Sequence, residues 1–159
     1  GHAGRGQRRV GPALDDADRA WVDATFARDV PGGAGLLAEP WVDRTLDVTL
    51  HGHLGRDGAL RLGAPCVQTV DARGTWQATR RAAPGELPDA WITALDGAAR
   101  RAAALLATEA YLGPFGLDGF GFRDANGDER FRACCDLNAR FTTGWAVGMN
   151  VPWTTPRRG

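Results

Sequence analysis

The chain has 159 residues, of which 43% are hydrophobic and 24% are charged, a composition that is ordinary for a globular domain with a buried core. Nineteen basic residues balance nineteen acidic ones, so no surplus of positive charge remains to neutralise the phosphates of a nucleic acid or a membrane surface. No apolar run approaches the ~20 residues that span a bilayer. Charge and composition therefore argue against nucleic-acid and membrane partners.

The first half of the chain predicts one helix followed by a sheet. Apolar spacing indicates a helix from Leu14 to Arg28, capped by Asp15 or Asp16, with its apolar residues near one face. The strands expected after it lie at about 34–40, 44–54, 59–70 and 75–81. Short turns between these strands predict an antiparallel sheet.

The second half predicts a long helix, a hairpin and a tail. The helix runs over 89–112, the hairpin follows it, and residues 142–159 are expected to form an irregular tail outside a domain of residues 1–141. The fold class that results is α+β, an antiparallel sheet with helices packed on one face. The apolar stripe expected to face the core is Trp91, Leu95, Ala98, Ala102, Leu105 and Leu112.

The turn of the hairpin decides whether Asp118 and Asp136 can cooperate. A two-residue turn would leave these aspartates on opposite faces. Asp124 and Gly127 instead suit a type I turn followed by a left-handed glycine, which gives a bulged hairpin. The two aspartates then share a face, diagonally placed at about 7–8 Å. The expected pairs are Asp118 with Cys134 and Asp136 with Gly116.

The stretch from Asp136 to Arg140 carries the most informative signal in the chain. Alternation along a strand puts Asp136, Asn138 and Arg140 on one face, while Leu137 and Ala139 point toward the core. Carboxylate and amide oxygens two residues apart can reach one hard cation, and Mg²⁺ prefers such ligands, usually shared with phosphates. The neighbouring guanidinium matches phosphate or carboxylate geometry. The alternative is a strand with a solvated polar face.

Two further motifs lie upstream. A glycine-rich loop at 1–6 can bring its backbone close to an anion and aim several N–H groups at it. Residues 36–42 form an apolar stretch that Pro40 interrupts, and because proline cannot donate to a ladder, a strand must break or become an edge there. The break would leave the Glu39 carbonyl and the Val42 N–H for something other than a neighbouring strand.

The cysteines and the paired histidines are interpreted as structural or surface residues. Cys66, Cys134 and Cys135 are odd in number, which fits neither a disulfide framework nor a zinc site, and Cys135 is expected on the core face. His51 and His53 share a strand face without a third ligand nearby, so we expect surface residues of the sheet.

Taken in order, these motifs resemble those of the ATP-grasp superfamily, and most closely its carboxylate–amine ligases. The resemblance covers nearly the whole chain and is most specific in its last two motifs. The matching segments are residues 4–6 with the basic residues that follow them, 39–42, Asp47, 116–118 and 136–140.

The resemblance implies how a nucleotide would be held. The glycine loop would fold over the ATP phosphates, the proline-interrupted segment would bond the edge of adenine and line its pocket, and an aspartate would hold the ribose. The cofactor-binding residues implied in this way are Gly4, Arg5, Gly6, Glu39, Trp41, Val42 and Asp47.

The resemblance also implies a metal site and a catalytic residue. Asp118, Asp136 and Asn138 would hold Mg²⁺, with Mn²⁺ as the alternative metal, against the ATP phosphates. Arg140 would steady the transferred phosphoryl group or the acyl phosphate formed from it.

The chain departs from the family pattern at three points, one of which is His2, at a position where small hydroxyl residues are common. The family usually has Glu where Asp136 stands, and the shorter side chain reaches less far. The family also places a phosphate-contacting lysine just before the glycine loop, whereas this chain contains no lysine. Arg5 is not an equivalent replacement at phosphates. Because the chain starts at a glycine inside a motif, we expect a fragment whose missing N-terminal part holds that lysine.

The function implied by the resemblance is that of a cytoplasmic, ATP- and Mg²⁺-dependent ligase domain. It would activate a small-molecule carboxylate as an acyl phosphate for attack by an amine. One alternative is a catalytically inactive nucleotide-binding module, and another is a generic antiparallel-sheet interaction domain. A lysine shortly before Gly1 would favour the enzyme, and nucleotide binding would distinguish the first two functions from the third.

Overall fold

A computed structural model describes residues 8–11, 13–27, 36, 38–71 and 75–151 of the chain. The described residues belong to two compact units, which lie within residues 1–41 and 42–159. The α+β class is confirmed, since the described residues form a six-stranded antiparallel sheet and three helices. The elements are α1 (Asp16–Ala27), β1 (Asp43–Leu54), β2 (Leu60–Leu62), β3 (Cys66–Val70), β4 (Trp76–Arg81), α2 (Asp89–Thr108), β5 (Gly113–Arg123), β6 (Glu129–Asn138) and α3 (Trp145–Met149).

The first unit contains α1. Asp15 caps this helix, because its carboxylate accepts the N–H of Asp18 at 2.7 Å. Asp18 is also paired with Arg8 at 2.6 Å and is the residue that α1 buries. The expected apolar face is largely open, with Leu14 37% and Phe26 53% exposed. The helix α1 is therefore capped by a local side chain but buries little apolar surface.

The second unit is built around β1, the central strand. The strand order is β4-β3-β1-β5-β6, and β2 pairs with the end of β1. The single strand expected over 59–70 is two strands, because the chain leaves the ladder between Gly63 and Pro65. The N–H of Ala64 donates to the Gly148 carbonyl instead of to a strand, and Pro65 has no N–H to donate.

The core lies between α2 and one face of the sheet, which we call the core face. Leu95 at the centre of α2 and Leu117 and Phe115 of β5 are fully buried there. Trp91 stacks on Phe131 of β6 with ring centroids 4.5 Å apart. The remaining buried members of this cluster are Val48, Leu50, Val67, Leu87, Ala98, Ala99, Ala102 and Ala103.

The predicted stripe of α2 is wrong at its C-terminal end. The helix ends at Thr108 instead of at Leu112, since Ala110 adopts a left-handed conformation (φ 55°) and turns the chain into β5. Leu105 is therefore 65% exposed and Leu112 is 47% exposed. The helix predicted from hydrophobic spacing alone was therefore too long at its C-terminal end.

The opposite face of the sheet carries α3, which corrects two expectations. Helices pack on both faces, and the start of the expected irregular tail is a helix anchored to the sheet. The indole Nε1 of Trp145 donates to the Gly52 carbonyl at 2.9 Å, and Arg81 donates to the carbonyls of Val147 and Gly148. These bonds hold a helix of five residues that has little intrinsic stability. We call this side of the sheet the α3 face.

The turn of the β5–β6 hairpin has the expected form. The N–H of Gly127 donates to the Asp124 carbonyl at 2.9 Å, and Gly127 is left-handed (φ 83°). Next to the turn, Arg123 pairs with Glu129 and Phe120 pairs with Arg132, as the bulged register requires.

Further along the same hairpin, a second irregularity makes the predicted pairs wrong. Between Asp118 and Phe120 the register shifts, so residues 133–135 of β6 stand against Gly119 alone. Asp118 therefore opposes Asp136 directly, and Gly116 opposes Asn138. The shift is by two residues, so the two aspartates still share a face.

β6 is an edge strand, and α2 covers only the part of it near the turn. Phe131 and Ala133 pack against the core cluster. Cys135 and Ala139 are exposed and Leu137 is 36% exposed, which corrects their assignment to the core. Alternation sets the direction of Leu137, but within the described residues no second layer covers this end of the strand.

Candidate functional site

The residues predicted to bind metal meet on the α3 face, in two rows that cross three neighbouring strands. Each row takes one residue from β1, one from β5 and one from β6. The rows are Thr49, Asp118 and Asp136, followed by His51, Gly116 and Asn138.

A carboxamide bridges the two opposed carboxylates. Nδ2 of Asn138 donates to Asp136 at 2.9 Å and to Asp118 at 3.3 Å. Like charges directly opposite each other on neighbouring strands destabilise a sheet. The bridging N–H groups reduce this repulsion, and they place Asn138 within hydrogen-bond distance of both carboxylates.

The electrostatic environment of Asp118 disfavours its charged form. Burial raises the pKa of this carboxyl, and the charges of Asp136 and Asp47 raise it further, against the opposing effects of Thr49 and Gln68. Gln68 Nε2 donates to Asp118 Oδ1 at 3.2 Å. Thr49 is fully buried, and its hydroxyl lies beside the carboxylate without a hydrogen bond of normal geometry. A nearby cation would stabilise a carboxylate in these surroundings.

Arg140 continues the line of polar groups beyond Asn138. Its Nη2 donates to Asn138 Oδ1 at 2.8 Å, and its backbone N–H donates to the Asn138 carbonyl at 2.9 Å. Its side chain is exposed. Asn138 thus presents nitrogen to the two carboxylates and oxygen to the guanidinium.

Asp47, the predicted ribose ligand, already has a cationic partner. Arg44 Nη1 donates to Asp47 at 2.9 Å, and the guanidinium lies 4.1 Å from the centroid of the Phe120 ring. Residues three apart on a regular strand face opposite ways, but a bulge between Arg44 and Leu46 turns Arg44 onto the same face as Asp47. The bulge therefore brings a guanidinium into the polar cluster.

An open cavity of about 420 Å³ lies beside this ion pair, where β1 and β3 separate. Asp47 and Gln68 both line it, and Gln68 is the residue that bonds Asp118. The cavity therefore adjoins both the predicted ribose ligand and the predicted metal ligands. The other lining residues are Arg44, Thr45, Leu46, Val67, Thr69, Val70 and Arg80.

The predicted adenine-binding residues are divided between the two units. Glu39 and Trp41 belong to the first unit, where Trp41 is 71% exposed and carries Arg9 at 4.6 Å from its ring centroid. Val42 begins the second unit and is half-buried. Residues 36 and 38–42 have no regular secondary structure, and the other positions expected in a strand before Pro40 lie outside the described residues.

The glycine-loop residues Gly4, Arg5 and Gly6 also lie outside the described residues. Their role stays a prediction from the resemblance.

Sequence reasoning missed the supporting residues Thr49, Gln68 and Arg44. The alternation of Asp47, Thr49 and His51 along β1 was a usable signal for Thr49. Gln68 could not be found in this way, because its place beside Asp118 depends on the pairing of β3 with β1.

The prediction that His51 is a surface residue is wrong. It is 1% exposed instead of lying on the surface, since the segment from Thr142 to Gly148 covers it. Its Nδ1 lies 3.1 Å from the Thr142 hydroxyl.

Within the described residues, no three His, Cys, Asp or Glu side chains are grouped so that they could hold a metal ion. The predicted site consists of two carboxylates and one carboxamide. None of the described helices is long and apolar enough to cross a membrane.

Comparison with known proteins found no family model that matches the chain and no curated protein that matches it.

Proposed function

We propose that this chain is part of an ATP-grasp-like domain in a cytoplasmic ligase that uses ATP and Mg²⁺ to join a carboxylate to an amine. One observation carries the proposal. The hairpin register places Asp118 opposite Asp136, with Asn138 bonded to both and Arg140 bonded to Asn138. This order of groups suits a divalent cation with a phosphate beside it.

The donor set fits Mg²⁺. This ion favours oxygen ligands and is usually bound through one or two carboxylates together with substrate phosphates. Asp118 and Asp136 supply the carboxylates, and a cation between them would offset the repulsion of two opposed charges. The Asn138 oxygen faces Arg140, so the carboxamide becomes a ligand only if its amide group turns over.

The other polar residues would act on the nucleotide and the substrate. ATP would supply the phosphoryl group, with Mg²⁺ offsetting its negative charge. The exposed Arg140 can give two parallel hydrogen bonds to a phosphate or a carboxylate. Asp47 lines the neighbouring cavity, where it would hold the ribose and where Arg44 keeps it oriented.

The test measures nucleotide binding and turnover in the full-length protein. Mg·ATP is titrated by calorimetry into the wild type and into Asp118→Asn, Asp136→Asn and Asn138→Ala, and ADP release is followed with candidate carboxylates and amines. We expect each variant to abolish or strongly reduce Mg²⁺-dependent turnover while its thermal unfolding stays cooperative. Asp128→Asn is the matched control, because it removes a carboxylate from the same hairpin far from the cluster.

Unchanged binding and turnover in all three variants would leave 136–140 as a solvated strand face and overturn the proposal. Binding without turnover in the wild type would favour an inactive nucleotide-binding module instead. Asp136 favours this second candidate, because its side chain is one methylene shorter than the glutamate that is usual in the family.

A further inference from the structure

Because Gly116 has no side chain, it leaves space on the α3 face directly beside the candidate metal site. It pairs with His51 on one side and with Asn138 on the other. A Cβ atom at this position would lie 2.9 Å from Thr142 Cγ2 and 3.2 Å from His51 Nδ1. The missing side chain thus allows Thr142 to sit on β5, two residues after Arg140.

His51 is held tightly on the other side of this space. It is 1% exposed, and its Nδ1 shares a hydrogen bond of 3.1 Å with the Thr142 hydroxyl. A Cβ at Gly148 would overlap the imidazole ring, and one at Gly144 would lie 2.9 Å from Nε2. Nε2 itself has no hydrogen-bond partner within the described part of the chain. The imidazole therefore has one polar attachment there, and that attachment is Thr142.

The segment from Arg140 to α3 is fixed at both ends. Asn138 binds Arg140 at the start, and Trp145 donates to the Gly52 carbonyl at the end. Thr142 lies between them, and its bond to His51 is the side-chain contact that ties the middle of the segment to β1. A shift of Thr142 would move the backbone that carries Arg140.

We propose that Thr142, held by His51, is a positioning residue that fixes Arg140 beside the metal site. This inference rests on the proposed function, in which Arg140 contacts the phosphoryl group that is transferred. Loss of the positioning should therefore weaken binding of ATP, which has that phosphoryl group, more than binding of ADP, which lacks it. A merely structural role would weaken both nucleotides alike.

The test compares the affinities of Mg·ATP and Mg·ADP by calorimetry in the full-length protein. Thr142→Val keeps the methyl group over Gly116 and removes the hydroxyl, so we expect about a 3–10-fold loss of ATP affinity, the size of one hydrogen bond. ADP affinity should stay unchanged. Thr142→Ser keeps the hydroxyl and should restore the ATP preference. Arg140→Gln should lose the same preference, and adding Thr142→Val to it should cause no further loss.

The outcomes separate the two levels of the argument. A wild type that binds neither nucleotide overturns the proposed function and this inference with it. A wild type that prefers ATP, with a Thr142→Val variant that keeps the same preference, overturns the positioning role alone. If Thr142→Val does not fold, Gly116→Ala decides, since its methyl group would push Thr142 away from His51 and should lower the ATP preference in the same direction.

Discussion

The two faces of the sheet differ in the helix that covers them and in the kind of side chain that they bury. The core face is covered by the 20 residues of α2 and buries apolar side chains such as Leu95 and Leu117. The α3 face is covered by a helix of five residues and buries polar ones, including Thr49 and His51. Alternation along β1 and β5 produces both faces from the same strands. The apolar core therefore lies on one face of the sheet, and the buried polar groups Thr49 and His51 lie on the other.

The largest expected effect is on the core face. Leu95→Ala should destabilise the protein by about 2–5 kcal/mol, because the side chain is fully buried between α2 and the sheet and its removal leaves a cavity. The measurement is urea unfolding at neutral pH. Leu105→Ala on the same helix is the control, and its effect should stay within about 0.5 kcal/mol since Leu105 is 65% exposed. Equal losses in the two variants would contradict the assignment of the core.

The second effect belongs to the α3 face and depends on pH. Burial lowers the pKa of His51 from 6.5 to about 4, so the folded protein holds this imidazole neutral. Its contribution to stability is fully present above pH 6.5 and is lost as the pH falls from 6.5 toward 4, by about 3 kcal/mol in all. The free energy of unfolding, measured at intervals over this range, gives the loss.

The variants His51→Gln and His53→Gln assign that pH dependence. His51→Gln should flatten the profile between pH 6.5 and 4. His53→Gln, which changes the half-buried neighbour on the same face, should keep the decline. A decline that persists without His51 would mean that other groups destabilise the acid form.

The third effect concerns the turn that begins the site hairpin. Gly127→Val should cost about 1–2 kcal/mol, because Gly127 is left-handed and a β-branched side chain is strained there. Ala125→Ser in the same turn is the control. The free energy of Mg·ATP binding should change by less than the free energy of unfolding, since the register shift at Gly119 separates this turn from Asp118. Full loss of Mg·ATP binding in a folded Gly127→Val protein would show that the turn alone sets the site.

The smallest effect has the opposite sign. Asp118→Asn should stabilise the metal-free protein by about 0.2–1 kcal/mol at neutral pH, because it removes one of two directly opposed charges. Burial and nearby charge raise the pKa of Asp118, so its folded form also gains stability as the pH falls through that raised pKa, and the variant should lose this gain. Thermal unfolding with a chelator present measures the change, and destabilisation would mean that the carboxylate is well compensated without a metal.

The elements of the fold that local signals specify could be predicted from the sequence. Asp15 caps α1, and Gly127 gives the turn its form, because each depends on one residue and its immediate neighbours. The strand and helix order gave the α+β class for the same reason.

What could not be predicted depends on contacts between distant segments. Alternation placed His51 on a strand face, but only the fold shows that α3 covers it. Five residues give too short a period to indicate a helix, so α3 was missed. Leu137 was placed on the face opposite Asp136, yet no sequence pattern states how far α2 extends over β6.

The direct opposition of Asp118 and Asp136 had one usable signal. A glycine within a strand often marks a bulge or a close backbone approach, and Gly119 is one of four glycines in β5. A Cβ there would lie 2.6 Å from the Arg132 carbonyl oxygen, so only glycine leaves room for the bulged segment of β6. Knowing that a bulge exists still does not reveal its size, which decides the pairing.

The bulge at residues 133–135 also makes the hairpin tolerant to changes in chain length. The turn and the aspartate pair are aligned separately on either side of it, with Phe120 against Arg132 and Asp118 against Asp136. A deletion of two residues within this segment would leave an uninterrupted ladder in which the same aspartates still face each other. Two codons can therefore be lost from the bulged segment without relocating the carboxylates.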